Sequence, residues 1–422
     1  MPRPTLRGVL FALVGAAITT LAYLLGRPEL LAIGIAAIAA PIVAIVLVAS
    51  SRPRVRVGRH LDPVVATVGE PVSVAVTVAG RARAAEWIER VPMRPAFAGP
   101  GRLPDVRRTK PATFTYRYWP AERGVVAVGP LLIEERDPVG LAVRVTDTIA
   151  EATQLVVPVV VPLDAGPVPD PSSDAGPRTS RSRERADDDV VTREYRSGDA
   201  LRRVHWRVTA RHGELMVRQD EPQAGPRARL LIDTASEAYG DVDRRPLREA
   251  PPTGPSVEWA VRMAASAAGH LVERGYAVDL RCSTAQPAQP PLGDAPGISA
   301  ALATVLGELA MLRVAPADGS PPALDAHPSV PVVAIASQPS GATIDWMLAQ
   351  RAPGTAASLL LVAPNAHAEG SEVAATAAVF ARAGWRVALA DPSDAVDAAW
   401  RRLIDGPIEA PDATSILSGR RA

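Results

Sequence analysis

The side chains best suited to chemistry lie together in one stretch, residues 190–221, where arginines alternate with acids. Arginine forms two parallel hydrogen bonds to a carboxylate, and the same planar fork fits a phosphate group. Three interpretations follow: a lattice of arginine–carboxylate pairs that ties two domains together, a recognition surface for an acidic or phosphorylated partner, and a catalytic centre. The residues concerned are Arg193, Arg196, Arg202, Arg203, Arg207, Arg211 and Arg218, with Glu194, Asp199, Glu214, Asp220 and Glu221.

Local patterns predict how this stretch folds. Residues 190–196 alternate β-branched and polar side chains, which predicts a strand, and Ser197-Gly198 predicts a turn. Asp199 is a favourable N-cap, so we expect a short helix after it, ending near Gly213. A second strand is predicted over residues 214–217. The apolar face of the helix would carry Leu201, Val204, His205 and Val208.

Two ordered motifs carry a resemblance to a known family. One is Tyr195-x-x-Gly198-Asp199-x-x-Arg202-Arg203-Val204-His205-Trp206-x-x-Thr209-Ala210-Arg211, followed by Leu215, Val217 and Glu221. It resembles the signature of the bacterial domain of unknown function 58 family. The other is Arg123-Gly124, Gly129-Pro130 and Asp137-Pro138-x-Gly140-Leu141, which resembles that family's "RG…GP…DPFGL" segment with Val139 in place of Phe. The resemblance implies these signature or interaction residues: Tyr195, Gly198, Asp199, Arg202, Arg203, His205, Trp206, Arg211 and Glu221.

Two positions bear on whether the signature is catalytic. His205 stands where the family accepts acidic and amide residues as readily as histidine, and Thr209 stands where the family usually has serine. Neither a catalytic histidine nor a serine nucleophile is therefore supported. We predict no catalytic residues and no enzymatic activity. The competing hypothesis is a hydrolase that uses Asp199, His205 and Glu221.

Two apolar stretches near the N-terminus predict a membrane anchor. Residues 8–25 and 30–49 carry no charge and are each long enough to cross a bilayer. Only GRPE separates them, so residues 1–51 are expected to form an antiparallel helical hairpin. Several arginines flank the outer ends of the hairpin, whereas its turn offers only Arg27 against Glu29. This asymmetry predicts that the N-terminus and the C-terminal domains are cytoplasmic. A cleaved signal peptide is the alternative, but no A-x-A site precedes a polar mature start.

Composition excludes several classes of chemistry. The 422 residues are 47% hydrophobic, enough for two or three domains with real cores. The formal net charge is +1, which gives no global attraction to nucleic acid. Lys110 is the only lysine, and Cys282 is the only cysteine. Walker-type and Schiff-base lysine chemistry and an intramolecular disulfide are thereby excluded, and we predict no cofactor.

The remaining chain divides into a β region, a linker and an α/β region. Short alternating runs punctuated by Gly and Pro predict an antiparallel, immunoglobulin-like β-sandwich over residues 52–162. Residues 163–189 are rich in Pro, Ser and charge and are expected to be a linker or long loop. After the signature segment, residues 190–225, strands and helices alternate across residues 226–422. Such alternation predicts a doubly wound parallel sheet.

The order of these last elements resembles a von Willebrand factor A-type domain, whose metal site begins with Asp-x-Ser-x-Ser after the first strand. Here the sequence is Asp233-Thr234-Ala235-Ser236-Glu237, and the later strand ends in Ser337 without an aspartate. Hexacoordinate Mg²⁺ needs hydroxyl and carboxylate oxygens that these positions lack. Asp233 is therefore expected to mark a degenerate site without metal.

The sequence as a whole predicts a membrane-anchored adaptor. By family resemblance its partners would be a MoxR-type AAA+ ATPase and a membrane transglutaminase-like protein. The role would be complex assembly, maturation or a stress response at the envelope. Nucleic-acid binding is not expected, because acids neutralise the signature arginines and Trp206 is the only tryptophan among them.

Overall fold

The computed structural model describes sixteen stretches of the chain in two compact units. The first unit lies within Met1–Val159 and Leu306–Leu312, and the second lies within Val160–Ala288, Ile298–Val305 and Arg313–Ala422. The described residues are 2–50, 54–81, 85–91, 97–103, 111–148, 151–164, 166, 192–194, 216–218, 226–242, 253–286, 298–317, 319, 321–323, 330–368 and 371–405.

The two predicted apolar helices are present at the N-terminus. Helix α1 spans Leu6–Leu25 and helix α2 spans Pro28–Ser50, and both are long and apolar enough to cross a membrane. Thr5 caps α1 by accepting a hydrogen bond from the Gly8 N–H, and Gly26 ends it in the left-handed region at φ 61°. The tight turn expected between the spans therefore follows from a glycine that tolerates positive φ.

The helices approach closely where each has a glycine. A Cβ on Gly15 would lie 2.9 Å from the Ala37 Cβ, and one on Gly34 would lie 2.3 Å from the Thr19 hydroxyl oxygen. Small residues let two apolar helices approach closely, so that dispersion contacts between them stabilise the pair even where the hydrophobic effect contributes nothing. The hairpin is thus held together along its own length.

The rest of the first unit, residues 54–157, is called the β-domain here, and it contains three sheets. Their strand orders are β2-β4-β7, β3-β11-β8 and β1-β10-β9-β5-β6. One pair departs from the predicted antiparallel pattern, because β3 runs parallel to β11. The strands are β1 Arg3–Pro4, β2 Arg54–Asp62, β3 Val65–Thr67, β4 Val72–Arg81, β5 Ala85–Arg90, β6 Phe97–Leu103, β7 Ala112–Tyr118, β8 Gly124–Val128, β9 Leu131–Arg136, β10 Ala142–Asp147 and β11 Ala152–Val157.

A single apolar cluster draws side chains from all three sheets of the β-domain. Alternate residues of β4, from Val72 to Val78, are fully buried, as expected of a strand with one face on a core. Trp87 stacks on Phe114 with ring centroids 4.1 Å apart. The domain therefore has its own hydrophobic core.

An ion pair lies inside this core. Arg59 on β2 donates from its Nε to Glu89 on β5, and the two side chains are 2% and 0% exposed. Burial, and after it the charge of Glu89, raise the pKa of the nearby Tyr116 phenol above its ordinary value. The tyrosine is therefore neutral, and Arg59 is the cation that compensates the buried carboxylate.

The second unit contains a five-stranded sheet whose strands are all parallel, in the order β15-β14-β16-β17-β18. Each strand is followed by a helix, except β14, where a single 3₁₀ turn at Ser236–Ala238 comes before the helix. The elements are β14 Arg227–Ile232, α3 Pro255–Glu273, β15 Ala277–Cys282, α4 Ala300–Met311, β16 Val332–Ala336, α5 Gly341–Leu348, β17 Ala357–Val362, α6 Glu372–Arg382, β18 Arg386–Ala390 and α7 Val396–Asp405. The residues of α4 from Leu306 onward belong to the first unit.

Helices cover both faces of this sheet. Trp346 of α5 and Phe380 of α6 share one apolar cluster with Leu231, Ala334 and Leu359 of the strands. On the other side α3 packs on β14 to β17 and against α7. Strands buried on both faces are predominantly apolar, and β16 and β17 are buried at every position. The predicted doubly wound parallel sheet is confirmed at this level.

The buried ion pair yields a stability prediction. Arg59→Ala leaves Glu89 charged and desolvated, so we expect a loss of about 3 to 5 kcal/mol in the stability of the β-domain. The control is Arg136→Ala, which breaks a pair with Glu134 in which the arginine is 54% exposed. That change should cost less than about 1 kcal/mol. Thermal unfolding of the full chain in detergent measures both, and equal midpoints for the two variants would contradict the assigned role.

Candidate functional site

The two ends of the signature segment are paired strands. Strand β12, Thr192–Glu194, runs antiparallel to β13, Met216–Arg218, with Thr192 opposite Arg218 and Glu194 opposite Met216. Both predicted strands are thereby confirmed, the second two residues later than expected at its start. The predicted helix lies outside the described residues, as do the side chains of the nine signature residues: Tyr195, Gly198, Asp199, Arg202, Arg203, His205, Trp206, Arg211 and Glu221.

The earlier motif forms a compact turn between β9 and β10, and we call residues 137–142 the Asp137 loop. The buried Asp137 carboxylate accepts hydrogen bonds from the Val139, Gly140 and Ala142 N–H groups, at 3.0, 3.1 and 2.6 Å. Gly140 has φ 78°, a conformation that suits glycine. The Asp and Gly of the motif are therefore required by the backbone of the turn.

The Asp137 loop holds the start of the apolar hairpin. The Thr5 hydroxyl donates to the Gly140 carbonyl at 2.6 Å, and the Thr5 N–H donates to the Leu141 carbonyl at 2.9 Å. Strand β1 then pairs with β10, with Arg3 opposite Val143. A Cβ on Gly8 would lie 2.2 Å from the Leu141 oxygen, so only glycine allows α1 to approach this closely. The motif thus supplies two backbone carbonyls that accept hydrogen bonds from Thr5.

The second helix of the hairpin is held by the same sheet. Leu141 and Ala142 share an apolar cluster with Ala44 and Val48 of α2. Arg144 on β10 donates to the Val48 carbonyl at 3.0 Å. The last carbonyls of a helix have no partner within the helix, so a neighbouring arginine stabilises that end. Both helices are therefore fixed to the β-domain at their ends.

The first residue of the motif also binds helix carbonyls. Arg123 donates to the Leu309 and Leu312 carbonyls at 3.1 and 2.8 Å, all within the first compact unit. These carbonyls lie at the C-terminal end of α4, where a cation is favourable. The described contacts of Arg123 and Asp137 are structural.

In the second unit, polar side chains gather at the carboxyl ends of β14 and β15. The Asp233 Oδ1 accepts from the Ser283 hydroxyl at 2.6 Å and from the Ala235 N–H at 3.1 Å. The Thr234 and Thr284 hydroxyl oxygens lie 2.8 Å apart. The buried Tyr239 hydroxyl donates to the Asp233 carbonyl at 2.7 Å. Ligands of open α/β sheets commonly bind at this edge, so it is the first place to look for chemistry.

The Asp233 carboxylate is poorly suited to hold Mg²⁺. Its Oδ1 is already occupied by two donors, and its buried Oδ2 has no hydrogen-bond partner among the described residues. Ala235 stands where a hydroxyl ligand would be required, and Glu237 lies on the exposed side of the 3₁₀ turn. One free carboxylate oxygen does not make an octahedral donor set. The residues do not fit a von Willebrand factor A-type metal site.

Burial governs the ionisation of Asp233. Desolvation raises the pKa of this carboxyl above its ordinary value, and the hydrogen bonds from Ser283 and Ala235 lower it by less. The folded protein therefore binds the Asp233 proton more tightly than the unfolded chain does. At neutral pH the buried charge lowers stability, and this cost disappears as the pH falls below the ordinary carboxyl pKa.

A second polar group lies at the ends of β17 and β18. The His367 Nε2 is 2.9 Å from the Asp394 carboxylate, which also accepts from the Asp391 N–H at 3.0 Å and from Arg402. Burial opposes the charge of Asp394, but the bonds from His367, the Asp391 backbone and Arg402 lower its pKa to about 2. Strands β16 and β17 lie between β14, which Asp233 follows, and β18, which Asp394 follows. Three strand spacings separate the two aspartates by about 14 Å across the sheet. The two groups are therefore separate.

The comparisons with known proteins bear on the second unit. Residues 191–273 match the family model described as Protein of unknown function DUF58. This segment belongs to the DUF58 family. The match covers the signature, β14, Asp233 and α3 to its last residue, and it confirms the family predicted from the signature. The Asp137 loop lies outside the residues that match the family model, so its resemblance stays a prediction.

Other comparisons add little to the DUF58 match. No curated protein matches the chain. Among solved structures, Pseudomonas fluorescens alkylpurine DNA glycosylase AlkC bound to DNA containing an abasic site analog matches at 10% identity and a TM-score of 0.17. The match covers 31% of this chain and 40% of the glycosylase chain. A TM-score this low carries no argument about fold or activity.

Several residues of these sites escaped the sequence analysis. Ser283 and Thr284 follow β15 directly, and hydroxyl residues immediately after a strand of a parallel sheet are the signal that would have pointed to them. His367 is isolated in sequence, but the fold places it beside Asp394. Thr5 and Arg144 carry no local signal, because their partners lie 135 and 96 residues away.

The two aspartates predict opposite pH dependences. Asp233→Asn keeps the Oδ1 acceptor and removes a buried charge, so its unfolding midpoint should exceed that of the wild type at pH 7 and converge with it in acid. Asp394→Asn, the matched control, should lower the folding stability by about 1 kcal/mol at pH 7, after allowance for solvent screening. That loss should vanish as the pH falls from 4 towards about 2. Thermal melts of the full chain between pH 2.5 and 8 measure both, and a stabilised Asp394→Asn would contradict the assignment.

Proposed function

We propose that the protein is a membrane-anchored adaptor without enzymatic activity. In this proposal α1 and α2 span the membrane as a hairpin, and the N-terminus and C-terminal domains are cytoplasmic. The protein acts with a MoxR-type AAA+ ATPase, and a membrane transglutaminase-like protein is a further partner. Its role is complex assembly, maturation or a stress response at the envelope. The family resemblance supplies the partners, and the geometry supports the anchoring.

The observation that carries the proposal is the attachment of the hairpin to the β-domain. Leu13, Leu24 and Val46 are 61%, 74% and 61% exposed, which suits side chains that face lipid. The ends of both helices are bonded to β10 or to the loop before it. An anchor that is only a tether needs no such bonds. A fixed β-domain suits a scaffold that presents a partner-binding surface at a set distance from the membrane.

Finer domain assignments belong to the same proposal. Sheets that share one apolar core support an immunoglobulin-like β-sandwich for residues 52–162. A parallel sheet with Asp233 after its first strand supports a von Willebrand factor A-like domain for residues 226–422. In that domain the poor donor set around Asp233 favours contacts with protein over a metal-dependent reaction.

The dense arginines of residues 190–221 favour a second candidate, a binder of an acidic or phosphorylated ligand. Paired arginines would be structural, whereas exposed arginines would be available for recognition. The hydrolase hypothesis, with Asp199, His205 and Glu221, requires these three side chains to converge. Each alternative gives a different result when single residues are changed.

Topology provides the first test of the proposal. A reporter fused after Ala422 should be active only in the cytoplasm, because the arginines flank the outer ends of the hairpin. A fusion in the turn, after Arg27, is the matched control and should report the opposite side. Activity of the C-terminal fusion outside the cytoplasm would overturn the proposed orientation.

The signature provides the second test. If it is a structural clamp, Arg202→Ala, Arg211→Ala and Trp206→Ala should each lower the unfolding midpoint, with about 3 to 5 kcal/mol lost for an arginine in a buried pair. An exposed recognition arginine would cost no more than about 0.5 kcal/mol. Melts in detergent are read beside binding to a purified MoxR-type AAA+ ATPase. Variants that melt like the wild type but lose binding would replace the clamp with a docking surface.

A hydrolase would behave differently in the same experiment. Asp199→Asn and His205→Gln would abolish turnover of a substrate without lowering either the midpoint or ATPase binding. If the wild type binds the ATPase and every signature variant binds it equally well, the signature is not part of the proposed interface.

A further inference from the structure

We propose that the Asp137 loop is a third contact with the membrane, in which the Val139 side chain lies in the interfacial region of the cytoplasmic leaflet. The inference rests on the proposed function, because it requires α1 and α2 to span a bilayer. It adds a lipid-contacting site in the β-domain, outside both apolar helices. Val139 would contact phospholipid at the level where the headgroups meet the acyl chains.

The depth of the loop follows from its bonds to α1. Thr5 is the N-cap of a helix whose 20 residues span about 30 Å, the thickness of the hydrocarbon core. Thr5 bonds to the Gly140 and Leu141 carbonyls. Val139 is the next residue in the chain, and neighbouring Cα atoms are about 3.8 Å apart. The loop is therefore level with the first turn of the span.

The conformation of the loop presents Val139 outward. Asp137 binds the N–H groups of Val139 and Gly140, so the backbone polar groups turn inward to the carboxylate. The Val139 side chain is 66% exposed. The two leucines next to the bonded residues differ in exposure. Leu141 is buried against α2, whereas Leu6 is 77% exposed at the start of the span. An exposed valine beside an exposed leucine at this level suits the edge of the acyl region.

Charge favours the same occupant. Arg3 on β1 and Arg7 in the first turn of α1 are both exposed, and Arg3 lies opposite Val143 in the sheet. Basic side chains close to a span attract anionic headgroups of the cytoplasmic leaflet. An exposed apolar side chain in a loop bonded to the start of a span that carries two exposed arginines is the arrangement expected of an interfacial contact.

Three labelling sites distinguish this inference from the proposed anchoring. Cys282 is the only cysteine, so Cys282→Ala gives a background for single cysteines labelled with the environment-sensitive fluorophore NBD. The positions are Val139→Cys in the loop, Leu13→Cys in the span and Val64→Cys in the β-domain. Val64 is a matched control, since it is also an exposed valine at 66%. Strand β2 lies between α2 and Val64 in the chain, and the eight residue steps from Arg54 to Asp62 span about 27 Å.

The full chain is reconstituted into vesicles of phosphatidylglycerol and phosphatidylethanolamine, and NBD emission and quenching by nitroxide-labelled lipids are recorded. We expect blue-shifted, quenched emission at positions 13 and 139 and water-like, unquenched emission at position 64. Water-like emission at 139 with a blue shift at 13 would overturn the membrane contact and leave the anchoring intact. Water-like emission at all three positions would overturn the anchoring and, with it, the loop contact.

A charge substitution gives an independent measurement. Val139→Asp should weaken nitroxide quenching of a label at residue 6, because the carboxylate draws the loop away from the anionic surface, whereas Val139→Leu should preserve the quenching. Val64→Asp controls for added charge and should leave it unchanged. Equal quenching in all three variants would overturn the proposal, provided that their melting curves match the parent protein.

Discussion

The attachment of the apolar hairpin to the β-domain depends on the buried Asp137 carboxylate. A chain that leaves a membrane helix must satisfy its backbone groups at once, because the apolar medium offers no hydrogen-bond partner. Asp137 accepts from three N–H groups and frees the Gly140 and Leu141 carbonyls to bind Thr5. The pairing of β1 with β10 and the hydrogen bond from Arg144 to α2 add further attachments between the hairpin and the β-domain. Without this turn, Thr5 would lose both of its hydrogen bonds to the Asp137 loop.

A different constraint shapes the second unit. Its sheet is covered on both faces, and the two aspartate groups lie where its strands end. Within the strands, the buried Arg229 of β14 pairs with Asp279 of β15. Asp233 follows β14 into a nearly dry position, whereas Asp394 follows β18 into one where His367 and Arg402 stabilise the charge. The same side chain therefore has a raised pKa at one end of the edge and a lowered pKa at the other. Burial and pairing, and not sequence position, decide the difference.

Charge burial is also used inside the β-domain. Arg59 and Glu89 lie on strands of different sheets and meet within an otherwise apolar core. Such a pair stabilises less than apolar residues of the same volume would, but it disfavours any arrangement that separates the partners. We interpret it as a device that fixes how β2 and β5 face each other. The Tyr116 hydroxyl beside it remains protonated and adds no competing charge.

The sequence by itself determined the features that depend on local pattern. Uncharged runs predicted α1 and α2 within two residues of their ends, and apolar runs between helices predicted the parallel sheet. The ordered arginine signature predicted the DUF58 family, and its flanking strands were predicted in the right order. These succeed because helix and strand periodicity and turn chemistry are properties of neighbouring residues.

Only the tertiary structure decided which distant residues meet. Nothing near Thr5 announces a bond to Gly140, nor does the sequence around Asp233 announce Ser283, fifty residues later. The parallel pairing of β3 with β11 was missed, because register between strands far apart in sequence leaves no local pattern. The pKa of each aspartate was equally hidden, because desolvation and ion pairing depend on every element packed around the carboxylate. Local rules thus determined the elements, and long-range packing decided the sites.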